Sequence, residues 1–123
     1  MKEIYAIINM TKINATKKAL ASQGIYSLNA YPAVGHGKGQ VDPAVLLAAA
    51  EGSQEAISIL GEHPHLVPKR TFSLMVEDEN VDMIVDTIVK ANQTGNHGDG
   101  KIFVCPLEDV VRISSGERGA IAL

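Results

Sequence analysis

The sequence predicts an α+β domain of the split βαβ, ferredoxin-like kind, and three observations carry that expectation. Short alternating apolar runs and helical periods follow one another in the order β-α-β, insertion, β-α-β. The cleanest 3.6-residue period, Val81, Ile84, Val85, Ile88 and Val89, lies directly between two strand-like runs. The length of 123 residues fits a single domain, spanning 1–123, whose core needs no disulfide or metal.

The elements follow in order. Residues 3–10 are β-rich, with Ile4, Ala6, Ile8 and Met10 on one face. Thr11 or Asn14 can cap the next helix, which runs through Ala15–Leu20 and stops at Gly24. Tyr26, Leu28 and Ala30 alternate with Ser27 and Asn29 as a second strand, which decays into the glycine-rich stretch 34–39. Residues 40–68 read as an insertion. Asp42-Pro43 starts one short helix that Gly52 ends, and Ser53–Leu60 forms another, closed by Gly61. Phe72, Leu74 and Val76 share a face of a third strand, and Asn80 can cap the helix after it. Ile102–Cys105 forms the last core strand, with a tail strand around Val110–Ile113.

An antiparallel sheet of this kind has helices on one face and none on the other. Ile7, Ile102 and Val104 are expected on the bare face, and apolar residues there predict burial against other subunits. Composition narrows the function. The net charge is −3, aromatics are 4% and Trp is absent, which argues against nucleic acid as a partner. The single cysteine, Cys105, excludes an internal disulfide framework, suits a reducing cytoplasm and is expected to be buried. No apolar run approaches the length of a membrane span, and the N-terminus does not resemble a secretory signal.

The chemically informative segment is Thr94-Gly95-Asn96-His97-Gly98-Asp99-Gly100-Lys101-Ile102-Phe103-Val104. Its glycines let successive amides approach an anion, and Lys101 adds a mobile positive charge suited to phosphate. Taken alone it could equally be a plain turn before a strand, and the spacing of a P-loop is absent. His97 reads as a solvent-exposed residue. Glu62, His63 and His65 look like metal ligands, but His-Pro-His cannot place both imidazoles on one helical face, so no metal site is expected. No catalytic residue is expected either. Asp99 is the sole candidate for positioning a hydrolytic water, and it sits in a loop better suited to holding an anion.

Thr94, three residues, then Gly98-Asp99-Gly100-Lys101-Ile102-Phe103-Val104 resembles the signature of the PII family of nitrogen-regulatory signal proteins. The likeness extends across the first strand and helix, Val34–Gly39 as the start of the family's long T-loop, and Val67-Pro68-Lys69 as its exit. It continues through Asn80–Gly100 and Arg112–Gly119, so the T-loop insertion spans about residues 36–68. Asn14-Ala15-Thr16-Lys17, the stretch Lys90–Asn96 and the long helical insertion resemble the nitrogenase-associated (NifI-type) branch.

The resemblance implies a trimer, or a mixed oligomer with a paralogous PII subunit, binding ATP or ADP in clefts between subunits. It implies 2-oxoglutarate and Mg²⁺ as further ligands, and a nitrogenase component as the target contacted through the T-loop. By position, Ile7, Gly35, Gly37, Lys38, Met75, Gly98, Asp99, Gly100, Lys101 and Arg112 match nucleotide-binding residues, with Arg112 delivered from the adjacent subunit. Gly39, Gln40 and Lys69 match 2-oxoglutarate positions, Lys69 pairing with a carboxylate. Ser114, Ser73 and Gly39 depart from an arginine, a glutamate and a glutamine usual in the family, and His36 stands where the branch often has arginine. Two alternatives remain: a PII-like regulator of a transporter or biosynthetic enzyme, and a degenerate subunit with lost effector binding. The apolar faces at Leu46-Leu47 and Ile57–Leu60 could dock a partner or pack on the protein itself.

Overall fold

The computed structural model describes residues 1–37, 43–61 and 66–123. Four strands, β1 (Lys2–Asn9), β2 (Asn29–Gly35), β3 (Val67–Val76) and β4 (Gly100–Pro106), form one sheet in the order β2-β3-β1-β4. Every pairing is antiparallel. Helices α1 (Ile13–Ser22) and α4 (Val81–Asn92) cover one face. Helices α2 (Pro43–Ala50) and α3 (Gln54–Gly61) lie between β2 and β3 in the chain and pack on each other, with Ala56 buried.

The core follows the strand alternation. Ile4, Ala6 and Ile8 from β1 and Phe72, Leu74 and Val76 from β3 are buried with Leu20 of α1 and Ile84 and Ile88 of α4. Each large apolar side chain taken from water here contributes roughly 1.5–3 kcal/mol before entropy is counted. The two helices also share a polar contact. Asn92 Nδ2 donates to Thr16 Oγ1 at 2.9 Å and to the Ile88 carbonyl at 2.9 Å, while Thr16 donates to the Lys12 carbonyl at 2.8 Å. Helix α1 ends as predicted: Gly24 has φ +81°, and Ile25 N–H and Gly24 N–H reach back to the Leu20 and Ala21 carbonyls.

Several expectations are corrected. Met10 leaves the strand for a 3-10 turn, Met10–Lys12, and is 45% exposed. That turn runs straight into α1, so the preceding residue, Lys12, already has φ −97° and ψ −6°. The extended backbone from which a capping side chain reaches back is absent, and neither Thr11 nor Asn14 caps. The same holds at Asn80, which ends a 3-10 turn with φ −93° and ψ −9°. In the second insertion helix, by contrast, Ser53 Oγ does accept from Ala56 N–H at 3.3 Å. Strand β2 starts at Asn29, later than expected: Leu28 packs on the core and Tyr26 is exposed.

The largest correction concerns β4. Ile102 stands opposite Ala6 and Val104 opposite Ile4, so both share the helical face, and Ile102 packs on the core. Side chains alternate, so register alone decides the face, and the sequence of β4 is apolar on both. The bare face instead carries Ile7, Tyr5, Tyr31, Met75 and Phe103, with Tyr5 and Phe103 rings 6.1 Å apart. Phe103, Tyr31 and Met75 remain well exposed in the single chain. Cys105 opposes Glu3 on this face and is half-buried, not buried. The tail strand is reduced to one bridge, Val111 with Arg118, and Ile113 is fully exposed.

Candidate functional site

Antiparallel alternation brings four strand ends to one edge of the sheet: the ends of β1 and β2 and the starts of β3 and β4. The insertion leaves and returns at this edge, and the glycine loop enters β4 there. A cleft of about 470 Å³ lies between them. Ile7, Gly35, Gly37, Lys69, Gly98, Asp99, Gly100 and Lys101 line it, together with His36, Val67, Asn96 and His97. Eight predicted site residues, drawn from four segments, thus meet in one place. A larger groove of about 640 Å³ beside α1 carries Lys17, Lys18 and Arg70 but none of them.

The glycine loop is shaped by necessity. Gly95, Gly98 and Gly100 have φ of +82°, +93° and +122°, a region closed to most side chains. At Gly100 a Cβ would stand 1.9 Å from the Ile7 carbonyl oxygen. Asp99 closes the loop from within. Its Oδ2 accepts from Thr94 N–H at 2.7 Å and Gly95 N–H at 3.2 Å, and its Oδ1 accepts from Thr94 Oγ1 at 2.5 Å. The Thr94 hydroxyl, then its amide, hold the Asp99 carboxyl below its ordinary value. Asp99 is the one carboxylate among the described lining residues, and both its oxygens are engaged. The described residues therefore fit an anion.

Among the described residues two lysines supply the positive side. Lys101 stands opposite Ile7 at the start of β4 and is exposed. Lys69 is partly buried at the start of β3. Its Nζ donates to Asn9 Oδ1 at 2.7 Å and to the Gly98 carbonyl at 2.8 Å. One ammonium thus connects the strand following the insertion, the end of β1 and the glycine loop.

Two predicted residues stand apart from this cleft within the chain. Met75 opposes Glu3 at the far end of the β1–β3 ladder, while Ile7 opposes Thr71. Arg112 lies in the C-terminal tail, ion-paired with Glu117 and donating from Nη2 to the Ile121 carbonyl at 2.8 Å. Lys38, Gly39 and Gln40 lie outside the described residues, as do Asp42, Glu62, His63 and His65. Among the described residues no cluster could hold a metal ion. No described helix is long and apolar enough to cross a membrane. Asn9 and the closing role of Thr94 were missed. Thr94 lay inside the quoted motif, whereas Asn9 meets its partner across 60 residues and carries no local signal. His97 is exposed as expected, yet it lines the cleft.

The chain is similar along its whole length to known proteins. Residues 1–117 match the family model described as nitrogen regulatory protein P-II. A nitrogen fixation nifHD region GlnB-like protein 2 of Methanobacterium ivanovii is 43% identical over 131 residues, covering 100% of this chain and 99% of its own. A protein of the same description in Methanothermobacter marburgensis is 38% identical, with both chains fully covered. The crystal structure of Arabidopsis thaliana PII bound to citrate superposes with a TM-score of 0.74 at 28% identity, covering 99% of this chain and 91% of that one. The split βαβ sheet, the glycine loop and these full-length likenesses agree, and the chain belongs to the P-II family of nitrogen regulatory proteins.

Proposed function

We propose that the protein is a non-enzymatic, cytoplasmic regulator of nitrogen fixation, a single domain whose insertion at about 36–68 carries its output. ATP or ADP binds the cleft at the sheet edge, with phosphates on the amides of Gly98–Lys101 and on Lys101. The ring of subunits is a trimer, of one kind of chain or mixed with a paralogue. It completes each cleft with Arg112, and Met75 beside the base, from neighbouring copies. 2-Oxoglutarate sits against Lys69, with Mg²⁺ carried by the nucleotide; the resemblance assigns Gly39 and Gln40 to the same ligand. Occupancy resets the insertion, which contacts a nitrogenase component directly.

One observation carries this reading: Lys69, at the exit of the insertion, is hydrogen-bonded to Gly98 of the glycine loop. An anion that recruits this ammonium acts on both segments at once, as effector linkage requires. The nifHD-region relatives support the nitrogenase target. The engaged oxygens of Asp99 support a binding role over hydrolysis. Titration calorimetry of the Lys69→Ala variant tests the reading. Mg·ATP binding survives, and the heat of 2-oxoglutarate binding seen with native protein disappears. An unchanged 2-oxoglutarate signal in the variant would refute the assignment of Lys69.

A further inference from the structure

We infer that Asn9 is the positioning residue that presents the Lys69 ammonium to an anionic ligand, and that it can do so because its acceptor is uncharged. The inference rests on the proposed anion site and extends it to a residue outside the cleft lining. Asn9 and Lys69 are directly opposite one another on the last rung of the β1–β3 ladder. Their side chains meet at 2.7 Å, and the Gly98 carbonyl takes a second N–H at 2.8 Å. A lysine stem is long and flexible, so two fixed acceptors define where its charge stands. The ammonium has three N–H donors, and one is left for a ligand. Both acceptors are neutral. Among the described residues no carboxylate pairs with Lys69, and Asp99 in the same cleft is turned onto Thr94. The positive charge is therefore oriented without being cancelled. A carboxylate or phosphate oxygen arriving in the cleft meets a fixed, uncompensated cation.

The test compares Asn9→Asp with Asn9→Ala in the full chain, titrating 2-oxoglutarate in the presence of Mg·ATP and, separately, tripolyphosphate alone. A purely structural role ranks Asp above Ala, because aspartate keeps the hydrogen bond. The positioning role reverses that order. Asn9→Ala loosens the lysine and weakens anion binding about threefold, whereas Asn9→Asp neutralises it and weakens binding roughly tenfold or more. Aspartate binding as well as alanine, or both matching the native protein, overturns the inference and leaves the anion site standing. Native protein that binds neither probe overturns both. Binding of tripolyphosphate without 2-oxoglutarate removes the dicarboxylate from the proposal, and the Asn9 series is then judged on tripolyphosphate. If the Asn9→Asp chain does not fold by circular dichroism, an unchanged affinity in Asn9→Ala suffices to refute the role.

Discussion

At Gly100 the backbone leaves no space for a side chain: φ is +122° and a Cβ would collide with the Ile7 carbonyl. Gly100→Ala therefore costs about 3 kcal/mol or more, since backbone strain and a backbone clash add. Urea unfolding should show a large fall in midpoint, and a midpoint within error of native would contradict the loop geometry. Asp99 has the opposite character, a partly buried carboxylate whose value is set by its partners. The Thr94 bonds depress its folded-state pKa below the ordinary 3.8. Its contribution is thus present above the ordinary value and is lost as pH falls through the lowered one. Asp99→Asn should be less stable than native at about pH 7, and the difference should shrink as pH falls below the ordinary 3.8 toward the lowered value, read as urea midpoints along that range. The glycines were legible as residue types because special backbone angles demand them, and Asp99 through the motif in which it stands. Which oxygen meets which amide was not, because that depends on the closed loop.

Among the elements, α1 and α4 were legible because their buried positions recur at helical spacing, Thr16 and Leu20 on one and Ile84, Ile88 and Asn92 on the other. The polar pair inside that contact was not anticipated. Asn92→Ala removes a buried donor from Thr16 and leaves space between the helices, a loss of about 1–3 kcal/mol. A lowered denaturant midpoint with an unchanged slope checks it, while an unchanged midpoint would mean the contact is energetically idle. The insertion helices start where expected, at Pro43 and just after Ser53, but the caps of α1 and α4 do not form. Both N-caps failed for one reason: a 3-10 turn feeds each helix, so no extended residue precedes it. Strand β4 was correctly placed but read with the wrong face inward. Its run Ile102-Phe103-Val104-Cys105 is apolar at every position, and only pairing with Ala6 and Ile4 decides that Ile102 and Val104 turn to the helices.

On the scale of the whole molecule, the antiparallel order explains why residues far apart in sequence converge. The ends of β1 and β2 and the starts of β3 and β4 lie at the same sheet edge, and there the insertion meets the glycine loop. This convergence was legible through the motif and the likeness built on it. The single chain brings Lys69 and Lys101 together but leaves Arg112 in its tail and Met75 at the far end of the ladder. It also leaves Phe103, Tyr31 and Met75 uncovered on the bare face. These features share one explanation if the functional cleft lies between copies. Native mass spectrometry with Mg·ATP tests that claim most directly. The account predicts trimers carrying up to three nucleotides, with occupancy reduced by Lys101→Ala and by Arg112→Ala. Nucleotide held by single chains, or trimers that take none, would contradict it.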